Sequence, residues 1–433
     1  VKRLTVLLRA YRIVSAVCAP LTPLLLARRL KRGKEDGGRL PERRGWAGYE
    51  RPGGPLIWLH AASVGELASV LPLIDTISRR GFAMLVTTGT VTSSGLAEQR
   101  LPRNVVHQFV PLDVPRFMRR FLDHWRPDLA LYVESDLWPN MMTETSARAI
   151  PMLLLNGRLS ERSYRRWRFL PSSIASLLGR FDLCLARTPA DAARLTELGA
   201  PRVAITGDLK FDVPAPPADP VKLQALRGAI GSRSVIAAAS THEGEESIVV
   251  DVHRRLRAQV PGLLTIIAPR HPERGPGIAG LATAAGLKTA LRTRNEIPDA
   301  ATEIYVADTM GELGLIYRLA AAVFIGGSLV EHGGQNPIEA AKLGAPILHG
   351  PHVWNFAETY EALDGAHGAE AVADAGRLTA ALAAMLAQPE LRAKTAKAAH
   401  ATVDAQSGAL QRTLNALDPY LMQLQLRSRA AHA

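Results

Sequence analysis

Cysteine is almost absent: Cys18 and Cys184 are the only two in 433 residues. That excludes a disulfide framework and a Cys-rich metal site and fits a reducing cytoplasmic setting. The chain has no evident low-complexity segment and no short repeat. Neither Gly-x-Gly-x-x-Gly nor a P-loop occurs, so a dinucleotide or an ATP γ-phosphate is a weak expectation. Acidic residues are scarce at the start, where Val1–Arg44 carries twelve Lys or Arg against three acidic residues, and most of the net charge of +12 collects there. Such asymmetry points to a polyanion.

The same segment carries the apolar run Ile13–Ala27, interrupted by Pro20 and Pro23 and flanked by Arg9, Arg12 and the cluster Arg28, Arg29, Lys31, Arg32 and Lys34. A membrane surface fits this pattern better than nucleic acid does. The run is shorter than the roughly 20 residues that span a bilayer, so an interfacial anchor or a marginal signal-anchor is expected, with the basic flank cytoplasmic. No Ala-x-Ala site follows, which argues against a cleavable signal peptide. The plainer alternative is an amphipathic first helix packed on its own domain.

At this length two domains are expected. Behind the breakers Arg51–Pro55, the run Leu56–Leu59 reads as a buried parallel strand, Ala61–Gly65 as a turn, and Leu67, Val70, Leu71 and Ile74 as one face of a helix ending before Gly81. Further strands are expected at 83–87, 129–133, 152–155, 183–186 and 203–205, with helices around 94–100, 115–125, 172–178 and 189–198. Val213–Pro220, with four prolines, reads as a semi-rigid linker. The pattern then restarts with strands at 235–239, 264–268, 303–306, 323–325 and 346–348, before a helical tail from Glu370 to about Leu426. The fold class is therefore α/β, with two Rossmann-like lobes facing each other across a cleft.

Ligands in such sheets bind outside the carboxyl ends of the strands, which draws attention to Glu66. Ser63-Val64-Gly65-Glu66 matches a capping box, so Glu66 is either a helix cap or a catalytic base. In the second lobe, Gly326–Glu339 follows a strand with four glycines, and Asn336 as N-cap with Pro337 at N1 would open a helix whose positive end favours a phosphate. Three more loops stand at strand ends there: Ser240–Glu246, Pro269–Arg274 and Asp308–Gly314. In the first lobe Thr87–Gly95 offers hydroxyls and glycines, while Glu134-x-Asp136 is weak evidence for a metal. Asn156–Arg168, with five arginines, suits a phosphorylated acceptor or is a solvated helix.

Together these segments resemble the 3-deoxy-D-manno-octulosonic acid (Kdo) transferases of lipopolysaccharide synthesis, a family of GT-B glycosyltransferases. WLHAASVGE, TTGTVTSSG, VESDLWPN, NGRLSERS, TGDLKFD, STHEGEE, APRHPER, MGELG and GGSLVEHGGQNPIEAA occur in the family's order and cover essentially the whole chain. The resemblance implies Kdo transfer with inversion from CMP-Kdo to a hydroxyl of a lipid A precursor (lipid IVA), without metal or cofactor, at the cytoplasmic face of the inner membrane and without nucleic acid. It places Glu66 on the general base, Arg270 and His271 on the motif contacting CMP, Met310, Gly311 and Glu312 on a turn near the nucleotide, and Asn336 and Glu339 where such enzymes hold the donor ribose. Ser240, Thr241, Gly327, Ser328 and Lys210 are expected with the donor. Ser63, Gly65, Thr88, Thr90, Glu134, Arg158, Ser160 and Arg162 are expected with the acceptor. Gly157 and Asp208 depart from the pattern without touching the chemistry. The implied division is an anchor over 1–44, an acceptor domain over 45–212, a linker over 213–220 and a donor domain over 221–433 whose tail helices return to the first lobe. Two alternatives remain: another GT-B enzyme using a UDP-sugar, as a transferase or an epimerase, or a membrane-bound glycolipid-binding module without chemistry.

Overall fold

The strand runs named above are mostly bounded by breakers and rich in Leu, Val, Ile and Ala, and in the computed structural model they become strands of two parallel sheets. The structure describes residues 4–432, with side chains as far as Arg427. Residues 1–3 of the expected anchor and Ala433 of the expected donor domain lie outside the described residues. The chain divides into two compact units, Val1–Val213 with Ser407–Ala433, and Pro214–Gln406.

The first unit holds strands β1 (Leu56–His60), β2 (Ala83–Thr88), β3 (Val105–Phe109), β4 (Leu129–Val133), β5 (Met152–Gly157), β6 (Leu183–Ala186) and β7 (Val203–Ile205). The second holds β8 (Val235–Thr241), β9 (Leu264–Pro269), β10 (Thr289–Leu291), β11 (Ile304–Val306), β12 (Ala322–Ile325), β13 (Ile347–His349) and β14 (Ala369–Ala371). Their orders are β3-β2-β1-β4-β5-β6-β7 and β10-β11-β9-β8-β12-β13-β14. The first order reverses between β1 and β4 and the second between β8 and β12, with β11 also inserted between β9 and β10, and the crevice outside such a switch point is where ligands bind. β1 and β4 are buried along their whole length, because helices cover both faces of a parallel sheet. Trp58 on β1 packs on Phe121 at 5.0 Å and Tyr132 at 5.4 Å between ring centroids.

Three strands are new relative to the sequence reading: β3, β10 and β14. All three are sheet edges. Partly exposed and carrying His107 and Gln108 or Glu370, they lack the continuous apolar run that marks a central strand. Glu370, expected to begin a helical tail, lies in β14; the helices Ala375–Ala387, Pro389–Ala405 and Ala409–His432 follow it. The last of these helices packs on the core of the first unit through Ala409, Leu414, Leu417, Leu421 and Leu424. The proline linker is fixed to the second unit, where Arg318 donates to the Pro216 carbonyl at 2.9 Å.

At the N-terminus, the segment expected to be a membrane-anchoring helix is two helices, α1 (Val6–Val17) and α2 (Thr22–Leu30), bent by 45° at a break. Pro20 and Pro23 lack the N–H groups a continuous helix needs. Among the described residues no single helix is long and apolar enough to cross a membrane, although the bent pair together has the length and composition. Leu8 and Leu26 are buried, and Arg12 pairs with Glu144 at 2.6 Å, whereas Ile13, Val14, Val17, Leu21, Leu24 and Leu25 are exposed.

Candidate active site

The turn after β1 delivers Glu66 to the first turn of α3 (Val64–Arg79). Ser63 is the N-cap: its Oγ accepts the Glu66 N–H at 3.3 Å and donates to Glu66 Oε1 at 2.9 Å. The second carboxylate oxygen accepts the Ala62 N–H at 2.8 Å. Glu66 is therefore part of a cap, though it reaches one residue beyond the N-cap N–H that an ordinary capping box uses. Its pKa is raised to about 7, first by burial and then by the charges of Asp136 and Glu134, against the opposing bonds from Ser63 and Ala62. A glutamate with the ordinary value near 4.3 would be a weak base; one near 7 is matched to proton abstraction at neutral pH.

Glu134 and Asp136 come from the loop after β4, beside β1 at the switch point. Glu134 has left-handed backbone (φ 60°) and accepts from Lys210 Nζ at 3.0 Å. Lys210, expected with the donor, thus stands in the first unit against an acceptor-side carboxylate. His60, the last residue of β1, is buried; its Nδ1 shares a hydrogen bond with Thr87 Oγ1 at 2.9 Å and its Nε2 lies 3.6 Å from Asp136 Oδ2. Burial alone would raise Asp136, but His60 and Trp138 outweigh it and hold the carboxyl below its usual range. Glu134 and Asp136 are each met by a cation or an imidazole, and among the described residues no group of three or more His, Cys, Asp or Glu could hold a metal.

The other acceptor-side expectations divide. Thr88 turns inward: it is fully buried and bonded to His107 Nε2 at 3.0 Å, so its hydroxyl is not presented to a ligand. Thr90 and Ser160 are N-caps, accepting the N–H groups of Ser93 at 3.1 Å and Ser163 at 3.3 Å. Gly65 is exposed beside Glu66. Arg158 follows β5 directly and is half-buried, while Arg162 is exposed on the helix Glu161–Arg168. On that helix Arg165 pairs with Glu161.

In the second unit two buried carboxylates that the sequence reading passed over organise the loops. Glu245 accepts backbone N–H groups from His242 (2.9 Å), Gly327 (2.7 Å), Ser328 (3.0 Å) and Leu329 (3.0 Å), fastening the loop after β8 to the loop after β12. Glu246 takes both Arg274 nitrogens at 2.6 and 3.1 Å and the Thr241 hydroxyl at 2.9 Å. Thr241 and Ser328, expected to touch donor, are therefore structural: Ser328 donates to the Ile325 carbonyl and accepts the Gly350 N–H. Ser240 is half-buried in left-handed backbone (φ 57°).

At the mouth of these loops His242 stacks on His332 at 4.2 Å and meets His271 edge-on at 6.0 Å, with Gln335 Nε2 at 3.0 Å from His242 Nε2. Burial, then His332, His271, Arg270 and Arg274, lowers His242 to about 4. The cluster is a place where an anion is favoured, and Gly327, Gly333 and Gly334, all at positive φ, let the backbone approach it. The helix expected to begin at Pro337 with Asn336 as N-cap begins one residue later, at Ile338, and runs only to Lys342; Asn336 Oδ1 accepts the Ile338 N–H at 3.0 Å. So short a helix adds little dipole, and the cationic side chains carry the electrostatics. Glu339 lies 3.4 Å from the Asn336 amide. Glu312 is committed to Arg292 (2.9 and 3.0 Å) and Lys222 (2.8 Å), and the bond from Arg292 chiefly brings it down to about 2. It ties the loop rather than facing a nucleotide, whereas Met310 is exposed and Gly311 turns the chain at φ 79°. His242, His332 and Gln335 were legible as polar residues in glycine-rich loops at strand ends; no sequence signal paired them.

The sequence model of a family described as 3-Deoxy-D-manno-octulosonic-acid transferase (kdotransferase) matches residues 38–213. The 3-deoxy-D-manno-octulosonic acid transferase of Haemophilus influenzae is 34% identical over 418 residues, 95% of this chain and 98% of the relative. That of Bordetella pertussis is 36% identical over 417 residues, 93% and 97% of the two chains. Among solved structures, a putative UDP-N-acetylglucosamine 2-epimerase from Listeria monocytogenes has a TM-score of 0.59 at 14% identity, covering 86% of this chain and 97% of that one; the likeness is one of fold.

Proposed function

The chain belongs to the 3-deoxy-D-manno-octulosonic acid transferase family, and from that premise we propose that Glu66 is the general base of Kdo transfer from CMP-Kdo to a lipid A precursor. The protein is a glycosyltransferase that moves Kdo in lipopolysaccharide biosynthesis. In the proposed reaction a hydroxyl of the acceptor, lipid IVA, gives its proton to the Glu66 carboxylate as its oxygen bonds to the anomeric carbon. The bond from that carbon to the CMP phosphate breaks on the opposite side with both electrons leaving on the phosphate, so the configuration inverts. One carboxylate suffices, and none is needed as a nucleophile.

The observation that carries this reading is the state of Glu66, a carboxyl at a switch point whose pKa sits at about 7. The donor is assigned to the second unit, where Arg270 and the histidines His242, His271 and His332 would meet the charge on the departing phosphate. The acceptor is assigned to the first unit, beside a cavity of about 210 Å³ lined by Ala62, Gly89, Leu112, Asp136, Trp138 and Met141 among others. The exposed apolar residues of α1 and α2, with Arg28, Lys31, Arg32 and Lys34 close by, support seating on the cytoplasmic face of the inner membrane.

The test is CMP release on incubation with CMP-Kdo and lipid IVA. Glu66→Gln should keep the fold and CMP binding and lower kcat by about 10²- to 10⁴-fold, the usual contribution of a general base. Near-normal turnover by that variant would return Glu66 to a purely capping role.

A further inference from the structure

The hydrogen bond that aims Glu66 is the end of a chain of contacts beginning in α2. The Ala62 N–H donates to Glu66 Oε2, and the Ala62 carbonyl accepts the Gly89 N–H at 2.9 Å. The Gly89 carbonyl in turn accepts from Arg43 Nη2. Arg43 is 4% exposed; its Nε and Nη2 reach the two oxygens of Glu35 at 2.8 and 3.3 Å, and its Nη1 reaches the Val110 carbonyl at 3.1 Å. Glu35, 1% exposed, also accepts from Arg29 Nε at 2.6 Å, and Arg29 lies in the last turn of α2. Arg29, Glu35 and Arg43 line the same cavity as Ala62, Gly89 and Asp136.

The buried Glu35–Arg43 pair, with the partly exposed Arg29 on its other side, is a poor source of stability, because desolvation of the charges offsets their attraction. What a guanidinium does well is hold several acceptors in fixed directions at once, which a flexible ammonium cannot. Here those acceptors are the carbonyls that follow β2 and β3, and one of them belongs to the residue hydrogen-bonded to Ala62. Gly89 has no side chain for a matching reason: a Cβ there would stand 2.8 Å from the Ala62 carbonyl oxygen.

We propose that Arg43, seated by Glu35 and Arg29, is a positioning residue for the transfer reaction, fixing the Gly89 and Ala62 peptides and through them the carboxylate of Glu66. The proposal rests on the reading of Glu66 as the base. The other groups facing that carboxylate are Ser63 on its own turn, with Asp136 and Glu134 from the loop after β4; those two acids are met by His60 and Lys210 respectively.

The experiment follows CMP release against pH for the full chain carrying Arg43→Lys, Gly89→Ala or Glu66→Gln. Arg43→Lys keeps the charge on Glu35 but loses the fork. It should leave KM for CMP-Kdo unchanged and lower kcat by about 10- to 100-fold, the scale of a small misplacement of a reacting group. Its acid limb should move to higher pH, because a loosened Ala62 N–H no longer favours the ionised carboxyl. Gly89→Ala disturbs the same peptide with the triad intact and should move the limb the same way. A merely structural role would lower the active fraction without moving the limb, so unmoved limbs in both variants overturn the proposal, as does an unchanged kcat. If those results come with a dead Glu66→Gln, only the positioning role falls. If Glu66→Gln turns over, the base reading falls and the proposal with it.

Discussion

At the scale of single residues, the proposed chemistry turns on how one carboxyl is kept basic. Burial does most of it, and the charges of Asp136 and Glu134 add to it. Asp136 is the more instructive of the two because His60 and Trp138 hold it ionised. An anion beside a second carboxyl disfavours ionisation of the second, which raises its pKa. Replacing Asp136 by Asn removes that charge while keeping the shape, so the pKa of Glu66 should fall. If Glu66 is the base, as proposed, the reaction needs it deprotonated, so the acid limb of kcat/KM should move to lower pH, opposite to the shift argued for Arg43→Lys, and the plateau should drop because a weaker base takes the proton. A limb that stays in place in a pH series on Asp136→Asn would show that this charge does not reach Glu66. The sequence placed Glu66 in the first turn of the helix after β1, where the structure has it, and left open whether it was cap or base. It could not reveal the raised pKa, which depends on two residues about seventy positions away that the sheet order alone brings alongside.

At the scale of elements, central strands and their following turns were legible, and of the four edges only β7, an apolar Val-Ala-Ile run, was. β4, β6 and β7 occupy the expected residues, and β1 differs by one at its end, because Leu, Ile, Val and Ala runs between breakers have few alternatives. β3, β10 and β14 escaped because an edge strand buries less and so need not be apolar. Loops were legible as places but not as roles. Thr88, Thr241, Ser328 and Glu312 sit in the expected motifs, yet their side chains hold the loops together, a distinction that depends on which way a side chain turns at a strand end. The N-terminal element shows the same limit: the apolar run was visible, while the bend at the prolines and the split between buried Leu8 and Leu26 and the exposed remainder came from packing. That split leaves one face of the helices buried on the first unit and one face exposed. If the exposed face seats on lipid, deleting residues 1–32 should abolish pelleting with anionic vesicles. The intact chain should pellet less as salt rises, each surface cation contributing about 1 kcal/mol within a Debye length, with a salt-resistant remainder from the apolar face. Unchanged pelleting of the truncated chain would remove the anchoring role.

At the scale of the whole molecule, the chain repeats one architecture with two different burdens. The first unit carries the carboxyl cluster and the basic N-terminus; the second carries the histidine and arginine cluster between loops stapled by Glu245 and Glu246. Each has its own core, with Leu59, Val70 and Leu131 among the residues of one and Ile236, Ile267 and Phe324 among those of the other. Cores of this independence need not unfold in one step, so a single transition is not the right expectation. A nucleotide that binds the second unit should raise that unit's transition and leave the first where it was. At one hundred times its dissociation constant, CMP would stabilise by about 2.7 kcal/mol. For a unit of this size that is a rise of roughly 5–10 °C. The fold does not choose the base of the nucleotide, since one α/β scaffold serves many sugar nucleotides and the choice is made in the site. Melting curves with CMP and with UDP therefore separate the two enzyme readings. A shift with CMP confined to the second transition is the expected result, and stabilisation by UDP alone would overturn the assignment of CMP-Kdo as the donor while leaving the family and the base reading of Glu66 standing.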